Sequence, residues 1–495
     1  MNTPLRRVAI AMMTMIVILI GSSAYVQVIR AGELRSNPLN TRVLLDEFSR
    51  HRGQISAAGQ VLASSVPTDT RFRYQRTYPV DPAYPNSAAA YAPITGFYSL
   101  NHSTSGLENT EDDVLNGSDD RFFARRLVDM ITGRDPRGGN VVTTIDPYVQ
   151  QVAYNELARR GYTGSVVAIE PATGEILAMA STPSYDPNRI ADHDPAVSNA
   201  AWDELSQDPD QPMLNRATQS TYPPGSTFKV ITTAAALASG VTPADTFTAA
   251  PEYTLPGTTT TLQNYGGSRC GSGETTTLLN AFRLSCNTAF VEMGIETGAE
   301  ALRDTARAFG IDGERDDVPL PVAASTVGEI GDDAALGQSS IGQRDVALTP
   351  LQNAVIAATI ANGGTRMAPQ LIHQLQGPNL SVLSSSEPQA VEQAIPSSVA
   401  RTLTDLMIAS EQSTSGSGSV SGVQIASKTG TAEHGADPSN TAPHTWYIAF
   451  APAQAPRVAV AVIVEDGGDG SLSATGGSVA APIGRAVIQA ALQGG

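Results

Sequence analysis

Apolar and polar positions along the chain change their spacing several times, and each change marks an element. Residues 8–29 read VAIAMMTMIVILIGSSAYVQVI, an apolar run without a charge. About 20 helical residues cross a bilayer, so this run is expected to be a membrane anchor. Arg6 and Arg7 precede it, which favours residues 1–7 as a cytoplasmic tail, although Arg30 and Arg35 beyond it leave the asymmetry weak. A cleaved signal peptide is the alternative, with Ser22 and Ala24 as a small-residue cleavage pattern, but the run exceeds the usual signal core. Either way, residues beyond about 30 are exported. No other segment is apolar enough to span.

Within residues 30–140, the chain from Arg42 to about Asn140 is arginine-rich, turn-rich and irregular in pattern. RGQISAAGQVLASS suggests two short strands and YAPITGFYSL a further strand. This region is expected to be a small N-terminal domain of the stalk or dimerisation type. The pattern changes near residue 141, where VVTTIDPYVQQVAYNELARRG predicts a strand and then a helix opened by Asp146 and Pro147. GSVVAIEPATGEILAMAST predicts a hairpin around Pro171 to Gly174. Helices are expected over 226–238, 277–298, 300–309, 349–361 and 396–410, then a Gly/Ser-rich loop over 411–422. Strands at 423–433, 445–450 and 458–465 and a closing helix at 479–492 complete the chain. Helices flanking an antiparallel sheet, with strands from both ends of residues 141–495, predict an α+β layered domain.

Composition narrows the function. The chain has 495 residues, enough for two domains, and its 41% hydrophobic content is that of a globular protein. A formal net charge of −17 argues against nucleic acid as a partner, because phosphate binding needs a basic footprint. Of the 31 basic residues only two are lysine, Lys229 and Lys428. A codon bias accounts for abundant arginine but not for the two positions that escape it. Arginine cannot give up its proton to act as a base, whereas a buried lysine can.

Lys229 lies in TYPPGSTFKV, three residues after Ser226, at the expected start of an apolar helix. Positions i and i+3 share a helical face, so the two side chains can meet. A serine hydroxyl is a weak nucleophile until a neighbouring base takes its proton, and a desolvated lysine can be that base. Lys428 lies in ASKTGTAE, where one charge, the hydroxyls of Thr429 and Thr431, and Gly430 make a carboxylate-binding strand edge. Ser285 and Asn287 stand between them in RLSCNTAF. Each motif alone is weak: S-x-x-K is usually a solvated helix pair and K-T-G a polar strand end. Their order, with both lysines of the chain inside two of them, is what carries weight. The set S-x-x-K, S-x-N, K-T-G is that of serine β-lactamases and penicillin-binding proteins.

The chain resembles class B penicillin-binding proteins, most closely the actinobacterial penicillin-binding protein A group. The likeness covers nearly all of the exported region: RGQI, TGFYS, TTID, VVAIEPATGEILAMASTPSYDPN, NRA, YPPGSTFK, SCN, GQRDVALTPLQ, SKTGTAEH and WYIAFAP. The resemblance implies a penicillin-binding transpeptidase fold and a peptidoglycan D,D-transpeptidase activity of cell-wall synthesis in division and growth, inhibited by β-lactams. It implies that Ser226 attacks the penultimate D-alanine carbonyl of a stem peptide, that neutral Lys229 takes its proton, that Ser285 relays a proton to the leaving D-alanine, and that Asn287 orients Lys229. The N–H groups of Ser226 and Thr431 would form the oxyanion hole. Lys428, Thr429, Gly430 and Thr431 would hold the donor's terminal carboxylate. No metal and no organic cofactor is implied. Cys286 stands where aspartate is frequent in the motif; the exported location permits a Cys270–Cys286 bond, two separate thiols being the alternative.

His434 and His444 are expected as surface or loop histidines, and Glu170 and Glu465 as solvated strand-end carboxylates. A bifunctional enzyme with a glycosyltransferase domain would need more than the roughly 110 residues before residue 141. A D,D-carboxypeptidase or β-lactamase would use the same acylation with water as acceptor, and the N-terminal domain and anchor argue against both. A β-lactam-binding sensor would need an inner signalling segment, against the short stretch before the apolar run. The expected partners are peptidoglycan stem peptides ending in D-Ala-D-Ala, β-lactams, the cytoplasmic membrane, through a single-pass anchor with the catalytic domain outside, and a membrane glycan polymerase.

Overall fold

The structure is a computed structural model that describes residues 2–26, 30, 48–70, 72–122, 131–132, 137–313, 318–416, 418, 420–438 and 440–493. The last residues of the expected anchor (27–29) lie outside the described residues, as do residues 31–47, 71, 123–130 and 133–136 of the expected N-terminal domain, Arg35 among them.

The apolar N-terminal run is one helix, Asn2–Ala24, starting earlier than the expected span and including Arg6 and Arg7. Its apolar side chains pack against nothing among the described residues. RGQISAAGQVLASS forms the expected strand pair, Ile55–Ala57 against Gln60–Pro67. YAPITGFYSL departs from expectation: Ser87–Thr95 is a helix ended by Gly96 at φ 67°, and only Tyr98–Ser99 is extended. Tyr and Ile suggested a strand, but the alanines before them favour helix.

Six strands form the N-terminal sheet, in the order Val382–Ser385, Ile372–Gln376, Asn140–Thr143, Ile55–Ala57, Gln60–Pro67, Tyr74–Thr77. Asn140–Thr143 lies parallel to Ile55–Ala57, and the two strands between 372 and 385 come from far along the chain. Asp146 then caps the helix Pro147–Ala158, its carboxylate accepting from the N–H groups of Tyr148 and Val149, with Pro147 in the first turn as expected.

A five-stranded antiparallel sheet forms the centre of the larger region. Its strands are β1 (Gly164–Ile169), β2 (Ile176–Thr182), β3 (Ala426–Ala432), β4 (His444–Ala451) and β5 (Val458–Val464), in the order β3-β4-β5-β1-β2. The expected hairpin is β1–β2, and the strands expected near 423, 445 and 458 are β3, β4 and β5. β4 and β5 are buried along their whole length because helices cover both faces. On one face lie α1 (Lys229–Ala238), α2 (Leu278–Leu284), α3 (Asn287–Thr297), α4 (Pro350–Ala361) and α5 (Ser397–Ser413), although Glu411, near the end of α5, reaches the helix on the other face. The closing helix α6 (Ala480–Gln493) and Pro147–Ala158 cover the other.

Two expectations are corrected here. The helix expected over 277–298 is two, α2 and α3, because Ser285 takes a left-handed conformation (φ 59°, ψ 42°) between them. The loop expected to begin at 411 begins later, since α5 runs to Ser413 and carries Glu411 inward.

Candidate active site

Ser226 stands in a short 3-10 turn, Gly225–Phe228, that leads directly into α1. This turn lies against β3, and the fit depends on glycine on both sides. A Cβ on Gly225 (φ +52°) would come within 2.8 Å of the Thr431 carbonyl oxygen, and one on Gly430 within 2.8 Å of the Pro224 carbonyl oxygen. The Trp446 indole N–H, from β4, donates to the Pro223 carbonyl at 3.0 Å, and the Gly225 N–H donates to the Gly342 carbonyl at 2.9 Å. The turn that carries Ser226 is therefore held by three separate stretches of chain.

Lys229, on the first turn of α1, is fully buried. Its side-chain nitrogen lies 2.8 Å from the Ser285 carbonyl, 2.8 Å from Asn287 Oδ1 and 3.4 Å from Ser285 Oγ. Lys428 reaches the same hydroxyl from β3, Nζ to Ser285 Oγ at 2.8 Å, and also meets the Thr429 carbonyl at 3.1 Å. The left-handed turn at Ser285 makes this convergence possible, since it presents carbonyl and hydroxyl of one residue to two lysines. Asn287 is fixed in turn: its Nδ2 donates to the Gln263 carbonyl at 2.8 Å, which leaves Oδ1 facing Lys229.

Burial sets the charge state. Desolvation, and then the nearby Lys428, pull the Lys229 pKa well below its ordinary 10.5. Desolvation lowers that of Lys428 to about 7. Two ammonium groups sharing one serine hydroxyl in a dry site cannot both keep a full charge at low cost, so the pair favours a neutral Lys229 beside a titratable Lys428.

The structure thus brings Lys229, Ser285, Asn287 and Lys428 into one hydrogen-bonded cluster, with Ser226 one turn before Lys229 and Thr429, Gly430 and Thr431 along the facing strand. Cys270 and Cys286 are joined in a disulfide with Cα atoms 5.8 Å apart, next to Ser285 and Asn287. Sequence reasoning missed the supports. Asn264, buried beyond Gln263, accepts from the Thr288 N–H at 3.1 Å and donates to the carbonyls of Ala250 and Ser268, tying the start of α3 to the preceding excursion. No local pattern marks such a residue, because its partners lie up to 24 positions away.

His434 lies in the loop after β3, as expected, but His444 differs from expectation. His444 is buried on β4 and stacks on His434 with ring centroids 3.6 Å apart. Burial, and then His434, lower the His444 pKa to about 4. Asp466 Oδ1 lies 2.9 Å from His434 Nε2, and the Asp466 N–H donates to His444 Nδ1 at 3.2 Å. The three side chains offer ligand atoms within 4.8 Å of one another. Parallel stacking keeps the two ring lone pairs in parallel planes, and His434 Nε2 also meets the Ala442 carbonyl at 2.9 Å, so the set fits a hydrogen-bonded latch better than a metal centre. Glu465 is likewise not a free carboxylate: it accepts from Tyr222 at 2.6 Å and Arg216 at 2.9 Å.

Comparison with known proteins extends the picture. Residues 164–489 match the family model described as penicillin binding protein transpeptidase domain, and residues 52–141 that of penicillin binding protein A dimerisation domain. The chain is 60% identical to peptidoglycan D,D-transpeptidase PbpA of Mycolicibacterium smegmatis, covering 100% of both sequences. It is 58% identical to the protein of the same name from Mycobacterium tuberculosis, again over 100% of both. Among solved structures, the ceftriaxone acyl-enzyme complex of penicillin-binding protein A from M. tuberculosis superposes with a TM-score of 0.88 at 59% identity, over 91% of this chain and 100% of that one. The penicillin G acyl-enzyme complex of that protein gives 0.85 at 58% identity, over 90% and 100%.

Proposed function

This chain belongs to the penicillin-binding protein transpeptidase family, and from that premise we propose that it cross-links peptidoglycan through an acyl-enzyme on Ser226. The observation that carries the reading is the convergence of both lysines on Ser285, with Lys229 buried and directed by Asn287.

A neutral Lys229 amine has two N–H groups, and the Ser285 carbonyl and Asn287 Oδ1 accept them, which leaves its lone pair for the Ser226 proton. Ser226 Oγ attacks the carbonyl carbon of the penultimate D-alanine, and the oxyanion that forms faces the N–H groups of Ser226 and Thr431. Collapse of this intermediate breaks the peptide bond. The proton held by Lys229 passes through the Ser285 hydroxyl to the departing D-alanine nitrogen. An amine of a second stem peptide then attacks the ester, forming the cross-link and returning Ser226. Charged Lys428, with Thr429 and Thr431, holds the donor's terminal carboxylate, and the same contacts serve the acid group of a β-lactam. The Asn2–Ala24 helix supports a single-pass membrane anchor, with the catalytic region outside. Residues 30–140 are read as the N-terminal domain and 141–495 as the transpeptidase domain, with the two strands between 372 and 385 packed into the N-terminal sheet.

The test is labelling of the full chain in detergent with a fluorescent penicillin, alongside Ser226→Ala, following adduct mass over time. A stable one-to-one adduct that the variant lacks is expected. Rapid loss of the adduct would indicate a hydrolase, and labelling that survives Ser226→Ala would refute the site.

A further inference from the structure

Strand β3 lies at the edge of its sheet, so its backbone ladder is with β4 alone. An edge strand is free to shift or roll unless something else fixes it, yet Lys428 must meet Ser285 Oγ at 2.8 Å. Neighbouring residues of a strand face opposite sides, so Ser427 and Lys428 hold β3 from its two faces. Lys428 points to the face that carries α2 and α3. Ser427, on the other face and fully buried, donates its hydroxyl to Glu411 Oε2.

Glu411 gathers three more groups. The phenol of Tyr447, which pairs with Thr429 in the β3–β4 register, donates to Oε2 at 3.0 Å. Arg485 of α6 donates through Nε to Oε1 at 2.8 Å, and both side chains are nearly enclosed, 14% exposed for Glu411 and 6% for Arg485. The Arg485 guanidinium also reaches the carbonyls of Ser415 and Gly416, at 3.3 and 3.1 Å, just past the end of α5. One carboxylate thus joins the residue before Lys428, the partner strand, the C-terminal end of α5 and the closing helix. None of these contacts reaches the reacting atoms.

We propose that Glu411, held by Arg485, is a positioning residue that fixes the roll of β3 and thereby the enzyme's selection for a donor bearing a free carboxylate. This rests on the assignment of Lys428 and its neighbours to the donor carboxylate. A purely structural pair would affect only how much protein is folded. A positioning pair changes the ratio of acylation by a carboxylate ligand to acylation by the same ligand as its ester, because only the acid uses Lys428.

The experiment compares second-order acylation by penicillin G and by its methyl ester, using the full chain in detergent, for native protein, Glu411→Gln and Ser427→Ala. Both ligands are measured on one preparation, so the folded fraction cancels from the ratio. The native protein is expected to prefer the acid. Glu411→Gln should lower that preference about tenfold, the equivalent of one charge-assisted hydrogen bond. Ser427→Ala, which keeps the ion pair and removes one hydroxyl, should lower it about threefold. Should Glu411→Gln fail to fold, Ser427→Ala decides. An acid preference within about twofold of native in the folded variants would overturn the proposal even if overall labelling falls. A native protein with no acid preference would instead refute the carboxylate assignment of Lys428, and the positioning role with it.

Discussion

Both lysines are buried, and the proposed mechanism gives each a different use for its proton. Phe228 closes the 3-10 turn, and Lys229, the next residue, opens α1 fully enclosed. Its lowered pKa means that acylation should fall as pH drops through that value, since the base is then protonated. Lys428 allows a sign to be worked out for stability. Its folded pKa is about 7 against an ordinary 10.5. Between those values the unfolded chain binds more protons, so this residue's contribution to stability rises with pH across the window and is most unfavourable at or below about 7. Lys428→Met should therefore gain on the native protein by about 1 to 3 kcal/mol near neutral pH, with the gap narrowing towards pH 10. Urea denaturation at several pH values measures it, and a gap that widens with pH would reject the assignment. At this scale the sequence was informative where residue type is scarce. It was misleading for His444 and Glu465, whose partners come from separate stretches of chain.

The turn that carries Ser226 and the strand that carries Lys428 can touch only because neither has a side chain at the contact. Gly225→Ala and Gly430→Ala each place a Cβ 2.8 Å from a backbone carbonyl oxygen, and at Gly225 the left-handed conformation adds strain. Each should cost about 1 to 3 kcal/mol of stability and slow penicillin acylation more than about tenfold, because the strand and turn must separate. Thermal melting and labelling rates check this; Gly257→Ala, where nothing lies within 4 Å, is the comparison for glycine strain alone. Most helices here were legible from period and caps, as at Asp146 and Pro147. The break at Ser285 was not. Nothing in LLNAFRLSCNTAF forbids a continuous helix, yet α2 ends at Ser285 in a left-handed conformation that meets both lysines.

The whole molecule ties its excursions back to the site. The Cys270–Cys286 bond closes a 16-residue separation beside the segment that supplies Gln263 and Asn264 to α3. In the chain-entropy model such a closure contributes about 3 kcal/mol. Replacing both cysteines with serine should lower unfolding free energy by about 2 to 4 kcal/mol and slow acylation, because Cys286 separates Ser285 from Asn287. Unchanged denaturant midpoints would show that the bond contributes nothing to stability. The N-terminal sheet is also closed from a distance: Ile372–Gln376 pairs with Asn140–Thr143, so the two regions share a sheet that a boundary drawn at residue 141 cuts through. A switch in hydrophobic pattern marks where an element changes, but it does not record which strand the element will pair with.

By itself the sequence determined the apolar N-terminal helix, the strand and helix periods, the three ordered motifs and the scarcity of lysine, because each is a property of neighbouring residues or of composition. Those features pointed to an α+β layered domain and a serine-acylating chemistry, and the penicillin-binding fold was what the resemblance to class B penicillin-binding proteins implied. Tertiary structure alone decided the rest. It placed two lysines on one serine hydroxyl, ended a helix at that serine, nearly enclosed Glu411 and buried His444, which local composition left in a loop or at the surface, and drew strands from residues 372–385 into the N-terminal sheet. Those outcomes depend on desolvation and on contacts between segments far apart in the chain, and neither leaves a local trace in the sequence.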